Sequence, residues 1–133
     1  MGVNLLIPVH YEEENVSILI ESLEKVSSII SILFVYDDLQ DPTSNVIKSI
    51  ISKKSSLNIS LIKNKGKGII SAYKSGFEYY KHSNFPIVIV MSDLSDEISS
   101  IDIMYAKWKT GAMIVYADRY KNLIQFSKFF NIK

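Results

Sequence analysis

Cysteine is absent from the 133-residue chain, which excludes disulfides, thiolate metal sites and cysteine nucleophiles. A charge excess is missing too. Fifteen basic and fourteen acidic side chains leave a formal charge of +1, whereas a nucleic-acid partner calls for a marked basic surplus. No apolar run approaches the roughly 20 residues that span a bilayer. The opening stretch Met1–Pro8 has no basic leader and its apolar run breaks off at Pro8, so no signal peptide is expected and the location reads as cytoplasmic. With only three prolines and five glycines, no segment has the composition of a linker or a low-complexity tract.

What is present is core material. Hydrophobic residues make up 47% of the chain and charged residues 22%, a globular composition at single-domain length. Three short apolar runs rich in β-branched residues, Val3–Pro8, Ser31–Tyr36 and Pro86–Met91, read as strands buried on both faces, the habit of a parallel sheet. Asn58–Ile62 and Ala112–Tyr116 are weaker strand candidates. Between them lie apolar stripes at helical spacing: Val16, Leu19, Ile20 and Leu23; Val46, Ile47, Ile50 and Ile51; Ala72, Tyr73, Gly76, Phe77 and Tyr80; Ile101, Met104 and Trp108. Strand and helix alternate throughout, which predicts an α/β fold with helices on both faces of a mostly parallel sheet.

Ligands in such sheets bind beyond the carboxyl ends of the strands. Four of the five segments that follow the candidate strands carry a carboxylate: His10-Tyr11-Glu12, Asp37-Asp38, Ser92-Asp93 and Asp118-Arg119; the fifth, Asn64-Lys65-Gly66-Lys67-Gly68, is glycine-rich. Acids gathered at one sheet edge are relieved of mutual repulsion by a divalent cation or by hydrogen-bond donors on a ligand. Glu12 opens the first helix, where it serves the dipole or accepts from ribose hydroxyls or a base N–H. Asp37 emerges from a buried strand and needs a partner, for which a base imide or amide N–H would serve. Asp41-Pro42-Thr43 reads as a turn and helix start. Asn64–Gly68 is neither a P-loop nor a dinucleotide fingerprint, yet its glycines and lysines ahead of a helix suit a diphosphate. Asp93 emerges from the most hydrophobic strand. Together with Asp37, at what reads as a neighbouring strand end, it is an oxygen ligand of the kind Mg²⁺ or Mn²⁺ prefers. His10 and His82 show no ligand spacing.

In this order the segments resemble family 2 glycosyltransferases with the GT-A fold, most closely dolichyl-phosphate mannose synthases and related polyprenyl-phosphate sugar transferases. Pro8, His10, Glu12, Glu14 and Asn15 match the opening motif, with Tyr11 in place of its usual Asn. Asp37, Asp38, Asp41 and Thr43 match the second, with one residue fewer between. Asn64, Gly66, Gly68, Ala72 and Gly76 match the third in full. Met91–Glu97 is similar to the segment that holds the D-x-D metal motif, and Gly111–Tyr120 to the strand that leads to a Ser-Arg-Tyr triplet, with Asp118 for Ser. The resemblance covers residues 3–120. It implies a truncated, three-layer, Rossmann-like (GT-A) domain over residues 1–120, followed by an amphipathic tail over residues 121–133.

It also implies a UDP- or GDP-linked sugar donor, a Mg²⁺ or Mn²⁺ ion, and a lipid-phosphate or glycan acceptor. Pro8, His10, Glu12, Asp37, Asn64, Gly68 and Ser92 would form the nucleotide-sugar site, with Asp93 on the metal; no catalytic base is assigned. Two departures stand out. Met91 replaces the first Asp of D-x-D, and the chain stops about where the family's acceptor-binding half begins. The alternative is therefore a non-catalytic remnant that keeps at most nucleotide binding. The tail, with Leu123, Phe126, Phe129 and Phe130 among three lysines, is expected to cover the sheet or to touch the cytoplasmic membrane face. A response-regulator receiver is excluded, because its acidic pair follows the first strand rather than the second.

Overall fold

The computed structural model describes residues 1–53 and 55–117. Four strands and four helices alternate: β1 (Val3–Val9), α1 (Glu13–Leu23), β2 (Ile29–Tyr36), α2 (Thr43–Ser52), β3 (Ile59–Lys63), α3 (Gly68–Tyr79), β4 (Ile87–Ile89) and α4 (Ser100–Lys109). The strands form one parallel sheet in the order β3-β2-β1-β4. The fold is α/β and Rossmann-like, as the alternation predicts.

Strand alternation decides which helix lies on which face. Val3, Leu5, Ile7 and Val9 of β1 and Ile32 and Phe34 of β2 pack with the α1 stripe Val16, Leu19, Ile20 and Leu23, with Ile47 of α2 and with Ile101 of α4. Leu6, Leu33 and Val35 point to the opposite face and pack with Ala72 and Tyr80 beside α3. A Cβ at Gly76 would collide with both δ-methyls of Leu6, so glycine is what lets α3 lie this close to β1. Not all of the predicted α3 stripe turns inward: Phe77 stays 47% exposed.

Asn4 is buried in the sheet, and its polar atoms are matched one by one. Its Nδ2 donates to Ser83 Oγ at 2.7 Å, and its Oδ1 accepts from Ser31 Oγ at 2.8 Å. The Tyr80 hydroxyl donates to the Leu5 carbonyl at 3.2 Å and lies 3.0 Å from Ser31 Oγ. Burial pushes the Tyr80 phenol up to about 12.

One expected element is missing. Ala112–Tyr116 forms no strand, and Met113, Ile114 and Tyr116 are 94%, 85% and 81% exposed. A β-branched run favours extended backbone, but a strand exists only with a hydrogen-bonded neighbour. No strand among the described residues pairs with this one, and among them β4 is the edge of the sheet. Asp118, Arg119, Tyr120 and the amphipathic tail over residues 121–133 lie outside the described residues.

Two outcomes follow from this packing. Gly76→Ala is expected to lower stability by about 1–3 kcal/mol in urea unfolding, because overpacking against Leu6 outweighs the ~1 kcal/mol gain in helix propensity; trimming Leu6 to Ala in the same chain should recover part of the gap between the two glycine-76 backgrounds. Tyr80 keeps its proton in the folded protein to a higher pH than in the unfolded chain. Its contribution is therefore intact below pH ~10 and is lost as the pH rises through about 12, by about 2–3 kcal/mol. The melting temperature should fall across that window, and the fall should be shallower in Tyr80→Phe.

Candidate functional site

The chain leaves β1 through α1 to reach β2 on one side, yet β4 pairs with β1 on the other side. The carboxyl ends of β1 and β4 therefore flank a topological switch point, where α/β sheets open a crevice. Alternate residues of β1 face alternate neighbours. Asn4 N–H donates to the Pro86 carbonyl, and the Leu6 carbonyl accepts from Val90 N–H at 3.1 Å, so the even positions face β4. The next even position is Pro8, which has no N–H to offer. The ladder to β4 stops there, and the Pro8 carbonyl accepts instead from the buried Ser92 hydroxyl at 3.0 Å. Proline thus ends the pairing at the point where the strands must part.

A cleft of about 340 Å³ occupies this position. Seven of the residues singled out by the sequence line it: Pro8, His10, Glu12, Asp37, Gly68, Ser92 and Asp93. Val35, Ile69, Ala72 and Met91 supply an apolar floor. Acids from the ends of β1, β2 and β4 therefore meet at one opening. Asn64, the eighth, does not line the cleft and is only 3% exposed. One sequence expectation needs correction. Asp37 and Asp93 follow β2 and β4, which are not neighbours, because β1 runs between them. Two strand spacings separate such ends by about 10 Å, too far for one ion to bridge both. Among the described residues, no group of three or more His, Asp or Glu side chains is arranged to hold a metal.

The β1 side of the cleft is held by a carboxylate read from the sequence as a turn former and as part of the second motif. Asp41, 1% exposed, accepts from Tyr11 N–H and from Thr43 N–H, each at 2.8 Å, while Thr43 Oγ1 accepts from Glu12 N–H at 2.8 Å. These bonds fix Tyr11 at φ 52°, a left-handed conformation costly for a side chain of this size. The Glu12 carboxylate is oriented by Asn15 Nδ2, which donates to its Oε2 at 2.7 Å. At the outer rim the Tyr11 hydroxyl donates to Asp38 Oδ2 at 3.0 Å, and Gln40 N–H to Oδ1 at 2.9 Å. The Gln40 amide and then the Tyr11 hydroxyl hold the Asp38 carboxyl below its usual range, while Asp38 pushes the Tyr11 phenol up.

On the opposite side Asp37 is clamped by two donors. Its Oδ1 accepts from Asn64 Nδ2 at 2.6 Å and its Oδ2 from Gly68 N–H at 2.7 Å. Gly68 adopts φ 80°, which costs glycine little and turns its amide toward the carboxylate. At the β4 end, Asp93 is exposed on the rim, its Oδ1 accepts from Ser95 N–H at 3.0 Å, and Leu94 takes up the tight turn at φ 62°. Asp96 Oδ2 accepts from Met91 N–H at 2.7 Å, which ties this loop back to the strand end. The sequence named Asp41 as a motif match and turn former without its buried bonds, and the roles of Asp96 and of the serines around Asn64 were missed. The signals were there: Asp-Pro-Thr ahead of a helix, and Ser71 and Ser75 one turn apart on the same helix face.

Comparison with known proteins adds kinship to this geometry. The chain is 27% identical over 124 residues to the "Prophage bactoprenol glucosyl transferase homolog" of Escherichia coli (strain K12), covering 90% of this chain and 39% of that protein. It is 29% identical over 125 residues to the "Bactoprenol glucosyl transferase" of Shigella phage SfX, again over 90% of this chain and 39% of the relative. The chain thus spans well under half the length of these curated relatives. The family model described as Glycosyl transferase family 2 matches residues 5–131, nearly the whole chain, and the protein belongs to that family.

Proposed function

We propose that the cleft binds a nucleotide-diphosphate sugar, UDP- or GDP-linked, and that the chain supplies the donor-binding part of a transferase that passes the sugar to a polyprenyl phosphate. The observation that carries this reading is the convergence of Glu12, Asp37 and Asp93 on one apolar-floored opening at the switch point. Asp37, held from behind by Asn64 and Gly68, retains acceptor capacity for a base N–H. Glu12 accepts from ribose hydroxyls. Lys65 and Lys67 stand in the exposed loop before α3, beside the place where a diphosphate would lie. The polyprenyl phosphate acceptor, rather than a glycan, is favoured by kinship to the bactoprenol glucosyl transferase and to the homolog of one.

The donor set fits a divalent cation of the Mg²⁺ or Mn²⁺ type only in one manner. With Met91 at the strand end and the Asp96 carboxylate engaged by the Met91 amide, Asp93 is the protein carboxylate that would hold it, the diphosphate and water completing the shell. Such an ion would supply charge neutralisation for a departing diphosphate. The residues of this chain orient the nucleoside and keep the apolar floor dry. No helix among the described residues is long and apolar enough to cross a membrane.

Titration calorimetry with UDP and with GDP, each with and without Mn²⁺, tests the reading. One nucleotide should bind, and Glu12→Ala and Asp37→Ala should each weaken it about tenfold or more, as expected for loss of a hydrogen bond to a charged group. Asp93→Ala should abolish the Mn²⁺ dependence while leaving residual metal-free binding. No heat from either nucleotide would sink the proposal. Binding indifferent to Mn²⁺ and to Asp93 would remove the metal and favour the remnant that only binds nucleotide.

A further inference from the structure

Asn64 is the most heavily bonded side chain of the site, though it does not line the cleft. It sits one residue past β3, 3% exposed, and its own N–H donates to the Tyr36 carbonyl at 2.7 Å, which extends the β2–β3 ladder to this point. Its Nδ2 donates to Asp37 Oδ1 at 2.6 Å and to the Gly68 carbonyl at 3.1 Å. Three donors converge on its Oδ1: Ser71 Oγ at 2.8 Å, Ser75 Oγ at 3.1 Å and Gly66 N–H at 3.2 Å. This pattern fixes which end of the amide is which, because the reverse orientation would set an NH₂ group against three donors. Ser75, also 3% exposed, accepts in turn from Lys65 N–H at 3.1 Å.

The consequence is one connected unit. Asn64 touches both the carboxylate of Asp37 and the backbone of Gly68, whose amide binds the other oxygen of that carboxylate. Asp37, Asn64 and Gly68 form a closed ring of three hydrogen bonds, anchored on α3 through two serines. A carboxylate bound on both oxygens, with its donors themselves immobilised, has a single orientation.

We infer that Asn64 is a positioning residue, which selects the orientation of the Asp37 carboxylate toward the nucleoside and sets the shape of the glycine loop without touching the ligand. This rests on the nucleotide reading above. An asparagine that contacted the nucleotide directly would need a free donor or acceptor at the cleft surface, and the five bonds leave it none exposed.

The test combines two measurements on the full chain. In the nucleotide-free protein, Asn64→Ala and Asp37→Ala should each speed exchange of the Gly68 amide roughly tenfold or more by NMR, with β1 amides unchanged. In calorimetry with whichever of UDP or GDP binds the parent, Asn64→Ala and Asp37→Ala should each cost about tenfold in affinity. The double variant should be no weaker than Asp37→Ala alone. Ser75→Ala removes a single donor to Asn64 and covers the case in which Asn64→Ala does not fold; it should cost about two- to threefold, and nothing in the Asp37→Ala background. Leu23→Ala, a core truncation at the opposite end of α1 from Glu12, controls for lost stability and should leave affinity unchanged. A Gly68 amide unaffected by Asn64→Ala and Ser75→Ala, or additive losses in the double variants, would overturn this inference alone. A parent that binds neither nucleotide would overturn it together with the proposed function.

Discussion

The structure depends on β1 being paired along both edges and covered on both faces. Its odd positions bond toward β2 and its even positions toward β4, while Leu5 and Ile7 pack under α1 and Leu6 packs under α3. Such a strand tolerates no slip of register, because one residue of displacement would exchange both its faces and both its partners. The cleft inherits that rigidity. Pro8 ends the ladder on the β4 side, and Ser92 takes the carbonyl thereby released, so the mouth of the site is fixed by the same strand that fixes the core.

Around this mouth the protein uses buried polar groups rather than apolar packing to hold its loops. Asp41 organises the turn from β1 into α1, and Asn64 organises the turn from β3 into α3. Each is almost fully shielded from water, and each carries several hydrogen bonds to neighbouring backbone. A loop held by hydrophobic contacts can settle in several similar arrangements. One held by a saturated amide or carboxylate cannot, since any other arrangement leaves a buried donor or acceptor unmatched. Half-buried Glu12 and Asp37 are thus displayed at the cleft from walls that do not adapt.

The sequence made the alternation of strand and helix legible, because β-branched runs and 3.6-residue stripes follow from local geometry. It also pointed to the strand ends, where Glu12, Asp37, Gly68 and Asp93 line one cleft. Strand order was not legible. Periodicity says that a strand is buried but not beside which other strand, and so Asp37 and Asp93 read as neighbours although β1 separates them. Ala112–Tyr116 failed for a related reason: its composition states a preference, but pairing is a property of two segments. The roles of Asn64 and Asp41 were hidden because a polar residue in a turn looks the same in sequence whether it faces water or the interior.

Among the described residues, β4 is left with one unpaired margin. Backbone amides and carbonyls along Ile87–Ile89 face outward without ladder partners from the described residues, and Met113, Ile114 and Tyr116 add bare apolar surface nearby. An open margin of this kind is a template on which any extended polypeptide can align, including another molecule in the same tube. A lysine or proline introduced at this rim would act on that margin alone and leave the far side of the sheet, where Asp37 and Asn64 meet, untouched.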